Sequence, residues 1–91
     1  MKRAILKIFG RVQGVLFRSD TLKKAQQLDL TGWVKNELDD TVSITAEGNE
    51  ENLKKLIDWC QTGSLFAKVV KVEVKWDKAS GEFNDFSIKY S

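Results

Sequence analysis

One stretch of the chain combines the groups that grip a phosphate: Gly10-Arg11-Val12-Gln13-Gly14-Val15-Leu16-Phe17-Arg18. Its glycines give the backbone access to positive φ, where successive N–H groups can converge on one point. The stretch lies between a strand-like run and a helix-like run. A helix start adds N–H donors without intrahelical acceptors and the positive end of the helix dipole. Arg18 adds a planar guanidinium that can hold two phosphate oxygens at once. The chemistry of this set is the binding of a dianion. The spacing matches neither GxxxxGK[ST] nor GxGxxG. By spacing alone it describes, more simply, a glycine turn followed by a solvated arginine.

Asn36 is the second candidate. Strand alternation puts it on the face of Val34, opposite Trp33 and Lys35. A polar residue on that face needs hydrogen-bond partners. It either ends its strand by bonding the following turn, or it presents a fixed amide that orients a water toward an anion held nearby.

The composition removes most other chemistries. The chain has no His and one Cys, Cys60. That excludes Ser-His-Asp and Cys-His catalysis, imidazole metal sites, a CxxC pair, a thiolate-rich metal site and an internal disulfide. Cys60 falls on the apolar stripe of a helix and is expected to be inert core. Trp33, Trp59 and Trp76 fall on three different elements and form no stacking platform. Lys68, Lys71 and Lys75 interleave with Glu73 and read as the solvated face of an edge strand. With 15 Lys+Arg against 13 Asp+Glu, the net charge of +2 calls for neither nucleic acid nor an anionic membrane. The start, Met1 to Phe9, has a short apolar run broken by Lys7 and no cleavage site after it. No run reaches the length of a membrane span. A reduced, cytoplasmic chain is expected.

The elements that must position these residues follow from the hydrophobic pattern. Ninety-one residues make one domain, 1–91, with room for one core between two layers. Residues 3–9 read as a strand. Helical spacing runs from Phe17 to Leu28, with Leu22, Ala25 and Leu28 on one stripe. Gly32 to Leu38 is a second strand, Asp39-Asp40 a turn, and Thr41 to Glu47 a third strand with Val42, Ile44 and Ala46 inward. Asn49 caps a second helix whose stripe is Leu53, Leu56, Ile57 and Cys60, and Gly63 closes it. Val70, Val72, Val74 and Trp76 alternate in a fourth strand. Ala79-Ser80-Gly81 turns the chain into a short fifth, Phe86 to Tyr90.

The order is βαββαβ plus a short C-terminal fifth strand. It predicts an α+β, ferredoxin-like two-layer sandwich with both helices on one face of a mostly antiparallel sheet. The first crossover unit makes strands one and two parallel, and the third strand of this fold lies between them. The Gly10–Phe17 loop, Arg18 and Asn36 therefore meet at one end of the sheet.

The loop matches a longer pattern. Gly10 to Arg18 resembles the GxVQGVxFR signature of the acylphosphatase family, and Gly32-Trp33-Val34-Lys35-Asn36 resembles that family's GWVxN segment. The likeness continues at Ala46-Glu47-Gly48 and Gly81-Glu82-Phe83, so it covers essentially the whole chain. The resemblance implies the ferredoxin-like fold and hydrolysis of acyl phosphates to a carboxylate and inorganic phosphate, with no cofactor, no metal and no phosphoenzyme. It implies that the backbone N–H groups of Val12, Gln13, Gly14, Val15, Leu16 and Phe17 bind phosphate together with Arg18. Asn36 would position the attacking water. Leu16 stands in a slot that varies in the family, so its side chain is not expected to enter the chemistry. The expected partners are a small acyl phosphate and its phosphate product, with no nucleic acid and no membrane, and the chain is expected to be a monomer. The alternative is a phosphate- or anion-binding regulatory domain of the same fold without turnover. RNA binding is disfavoured because strand three offers Ser43, Thr45 and Glu47 and no aromatic side chain.

Such a reaction is feasible without histidine. The leaving group is a carboxylate whose conjugate acid has a pKa of about 4–5, so no general acid is needed. Phosphoryl transfer has a loose transition state, for which positioning and charge stabilisation supply most of the catalysis. Val12 stands where Cys-x5-Arg phosphatases place their nucleophile, and a valine cannot attack.

Overall fold

The structure, a computed structural model, describes residues 1–90. The elements are β1 (Lys2–Arg11), α1 (Phe17–Gln27), β2 (Thr31–Asn36), β3 (Val42–Gly48), α2 (Glu50–Thr62), β4 (Lys68–Lys78) and β5 (Phe86–Lys89). They form the predicted α+β sandwich around one five-stranded sheet of order β4-β1-β3-β2-β5. Every neighbouring pair is antiparallel except β2 with β5, which run parallel. Because β1 and β2 each pair antiparallel with β3, their C-terminal ends lie together at one end of the sheet.

Period-two alternation builds the sheet side of the core. Ala4, Leu6 and Ile8 of β1, Val34 of β2, and Val42, Ile44 and Ala46 of β3 are all buried. From the helix layer α2 contributes Leu53, Leu56 and Cys60, as its stripe predicted. The Asn49 side chain caps α2 by accepting from the Asn52 N–H at 2.8 Å. Burial pushes the Cys60 thiol up to about 12, so it stays a protonated, inert core group.

The structure corrects the reading in four places. In α1 the most buried positions are Phe17, Thr21 and Ala25, with Leu22 and Leu28 only partly buried. The i, i+4 stripe runs through Thr21, whose hydroxyl hid it from a hydrophobic count. Strand β2 ends at Asn36 and not Leu38, because residues 37–40 form the turn, with Glu37 N–H donating to Thr41 O at 2.9 Å.

In β4 the alternation slips. Phe9 pairs with Lys71 but Gly10 pairs with Val69, so Val70 bulges out and is 75% exposed while Val69 and Val72 pack inward. The bulge depends on Gly10: a Cβ there would lie 2.1 Å from the Lys68 carbonyl oxygen, at a φ of 129°. Val74 and Trp76 are also exposed, because β4 is an edge strand.

The fourth correction is Glu47, expected on the outward side of β3 but only 4% exposed. The segment joining β4 to β5 folds over it. Glu47 Oε2 accepts from the Ser80 N–H (2.8 Å), Ser80 Oγ (3.0 Å) and Arg3 Nε (2.7 Å), and Oε1 accepts from the Gly81 N–H (3.0 Å). Burial pushes the carboxyl up, but the donors from Ser80, Arg3 and Gly81 outweigh it and hold it at about 2. The folded value lies below the ordinary 4.5. The stabilisation is therefore complete above that value and is lost as pH falls toward about 2. Replacing Glu47 with Ala is expected to cost about 3 kcal/mol, because it leaves Arg3 Nε and the N–H groups of Ser80 and Gly81 without their acceptor. Replacing it with Gln is expected to flatten the acid limb of stability. Urea unfolding of both variants across the acid range checks this; an unchanged acid limb would show that Glu47 does not hold this segment.

Candidate active site

At the end of the sheet where β1 and β2 finish, residues 12–16 carry the chain from β1 into α1. The side chains of Val12 and Phe17 are buried in the core and anchor the two ends of the loop. Between them the backbone takes two left-handed steps, at Gly14 (φ 72°) and at Leu16 (φ 66°). Gly14 adopts this freely. Leu16 does so at a cost of about 1–2 kcal/mol, since its Cβ crowds the backbone there. The helix begins directly after it, with Asp20 N–H donating to Leu16 O at 3.0 Å.

Three side-chain hydrogen bonds hold the loop from either side. Gln13 Nε2 donates to Glu37 O (2.8 Å) and Thr41 O (2.9 Å), tying it to the turn that follows Asn36. Ser64 Oγ donates to Val15 O at 3.1 Å, tying it to the segment after α2. Beneath it, Phe17 packs on Trp59 with ring centroids 5.5 Å apart. Gly63 leaves room for this ring, because a Cβ there would meet Phe17 at 2.7 Å. Among the described residues, none of the backbone N–H groups from Gln13 to Phe17 donates to a protein acceptor. Loop ends fixed by core burial, a clamped backbone and unspent donors are the parts of an anion cradle.

Arg18 follows in the first turn of α1, half-buried, with its guanidinium 5.1 Å from the centre of the Tyr90 ring. A cleft of ≈ 330 Å³ opens here, lined by Val12, Gly14, Leu16, Phe17, Arg18 and Ser19 from one side and by Ile88 and Tyr90 from the other. Ile88 pairs with Val34 in the parallel β2–β5 ladder, which is how β5 brings its end to the site.

Asn36 is the last residue of β2 and pairs with Val42. Its Oδ1 is buried, and among the described residues no donor reaches it. A buried acceptor left unpaired costs about 1–3 kcal/mol. Such a group calls for an explanation beyond folding.

The structure thus brings Val12, Gly14, Leu16 and Phe17 of the loop together with Arg18 on one cleft, while Gln13 and Val15 do not line it. Asn36 is not a wall of that cleft; it directly precedes Glu37, whose carbonyl accepts one of the two Gln13 bonds. Sequence reasoning missed Ile88 and Tyr90 as cleft residues, and it missed the clamping side chains of Gln13 and Ser64. The alternation of Phe86, Ile88 and Tyr90 was visible, but nothing in it shows that β5 pairs with β2.

A glycine-containing loop with unspent N–H donors between β1 and α1 of a ferredoxin-like sandwich, next to Arg18, is an arrangement able to hold an anion. The comparisons narrow the class. The acylphosphatase family model matches residues 4–88. The chain is 45% identical to an acylphosphatase of Shewanella amazonensis over the full length of both chains. It is 43% identical to one of Pelotomaculum thermopropionicum over 97% of this chain and 96% of that one. The crystal structure of acylphosphatase from Bacillus subtilis superposes with a TM-score of 0.95 at 38% identity, covering 99% of this chain and 100% of that chain. The chain belongs to the acylphosphatase family.

Proposed function

We infer that the chain hydrolyses acyl phosphates in the cleft between the 12–17 loop and β5, with Arg18 and Asn36 as the catalytic side chains. The observation that carries this reading is the row of unpartnered N–H groups from Gln13 to Phe17 on a loop that shares its cleft with Arg18. These donors and the guanidinium would hold the phosphoryl oxygens and stabilise the charge that builds on them in the transition state. The amide of Asn36 would hold the attacking water by donating to it and accepting from it. An amide cannot take the water's proton at neutral pH, so the proton passes to a phosphoryl oxygen. Water oxygen bonds to phosphorus as the bond from phosphorus to the carboxylate oxygen breaks, and that electron pair leaves with the carboxylate.

This route needs no metal and no phosphoenzyme. The leaving group already tolerates its negative charge, and the residue six before Arg18, where Cys-x5-Arg phosphatases carry their nucleophile, is Val12. We extend the reading to a single domain that works as a cytoplasmic monomer without nucleic-acid or membrane partners. The small net charge supports this, as does the lack, among the described residues, of any helix long and apolar enough to cross a membrane. Light scattering checks the monomer.

The test is hydrolysis of benzoyl phosphate in excess EDTA and heavy-oxygen water. Turnover is expected to persist, with the label in phosphate and not in benzoate, and without a burst of benzoate that would mark a phosphoenzyme. A folded protein that binds phosphate but does not turn over would be an anion-binding domain instead. Alkyl phosphates, whose alkoxide leaving groups would need a general acid, are expected to react at least about 10²-fold more slowly. Comparable turnover of an alkyl phosphate would contradict the mechanism. Between about pH 5 and 8 no enzyme base should titrate in kcat, since the chain has no His.

A further inference from the structure

The phosphate cradle reads only the phosphate, yet the cleft extends beyond it along an apolar wall. Of the apolar residues that line it, Val12 and Phe17 are buried in the core. The wall left to meet a ligand is Leu16, Ile88 and Tyr90. Leu16 is 63% exposed and Tyr90 is 77% exposed. Folding gains little from either. Leu16 also holds a left-handed backbone that Gly or Asn would adopt at less cost. A large apolar side chain kept in solvent, on a strained backbone, at the lip of a binding cleft has a ligand as its natural partner. Tyr90 turns one side of its ring to the Arg18 guanidinium, which ties the wall to the group that grips the phosphate.

We propose that Leu16, Ile88 and Tyr90 form an acyl subsite that selects acyl phosphates with apolar acyl groups over acetyl phosphate. The inference rests on the reading above, in which Arg18 and the loop hold the phosphoryl group. With the phosphate fixed there, the carboxyl carbon and its substituent must leave the cradle along the cleft, where this wall removes apolar surface from water. The Leu16 side chain then takes no part in bond breaking but helps choose what is broken.

The test compares kcat/KM for acetyl and hexanoyl phosphate, whose leaving groups are almost equally basic, so that a difference reports contact and not reactivity. The wild type is expected to favour hexanoyl phosphate by about tenfold or more. Tyr90→Ala is expected to reduce that ratio about fivefold and Leu16→Asn about threefold. Asn tolerates the left-handed backbone, so the loop keeps its shape. Tyr90→Phe keeps the ring and is expected to keep the ratio. Equal losses on both substrates in Tyr90→Ala, with an unchanged ratio in Leu16→Asn, would make Tyr90 a positioning residue for Arg18 only and overturn the subsite. A wild-type ratio near one would overturn it as well. No turnover of either substrate by the folded wild type would instead overturn the catalytic reading, and the subsite with it.

Discussion

Arg18→Gln is expected to lower kcat/KM for benzoyl phosphate by about 10²–10³, equivalent to about 3–4 kcal/mol of transition-state stabilisation. Gln keeps two polar atoms but loses the charge and the fork that holds two phosphoryl oxygens. Inhibition by inorganic phosphate should weaken along with turnover, because in the proposed mechanism the same contact serves substrate and product. Arg18→Lys should recover part of the binding and less of the rate, since an ammonium supplies charge without the planar fork. Arg18 is half-buried on the first turn of α1 and makes no ion pair among the described residues, so neither variant should shift the unfolding midpoint by much. Retention of wild-type turnover within tenfold by Arg18→Gln would remove Arg18 from the site.

The second large effect is expected at Asn36, with a different signature. Asn36→Ala should lower kcat by about 10² or more while phosphate inhibition stays near the wild-type value, because in the proposed mechanism the amide holds the water and not the phosphate. Stability should hold or rise. The substitution removes an Oδ1 that is buried and that no donor satisfies among the described residues, and deleting such a group is neutral or favourable for folding. An activity that falls while the unfolding midpoint holds is the pattern of a group kept for function at the expense of stability. Activity, phosphate binding and midpoint falling together would make Asn36 a structural residue of the β2–β3 turn. Calorimetry and phosphate inhibition on one preparation separate the two.

Asn36 also shows how far local pattern reaches. Alternation put it on the inner face beside Val34, and Val34 is buried, but β2 ends at Asn36 and not at the Leu38 that the pattern gave. The glycine loop and the span of the helix that carries Arg18 were equally legible, because each is a signal within a dozen residues, although the buried stripe of that helix was not. The same locality explains the failures. The slip at Val70 needs the Gly10–Lys68 approach across two strands. The burial of Glu47 needs Ser80 and Gly81 to arrive more than thirty residues later in the chain. A hydrophobic count could not see Thr21 as a core residue, because a hydroxyl hides in a helix stripe as readily as it faces water.

Residue order alone therefore settles which segments are strands and helices, which glycine-containing loop joins β1 to α1, and which end of the sheet receives Arg18 and Asn36. Packing decides the rest. Only the parallel pairing of β5 with β2 brings Ile88 to the cleft and Tyr90 against Arg18, and only the β2–β3 turn offers Gln13 the two carbonyls that hold the loop still. Periodicity is written by the backbone geometry of one element at a time. Which element comes to lie beside which is written by burial across the whole chain, and no window of sequence contains it.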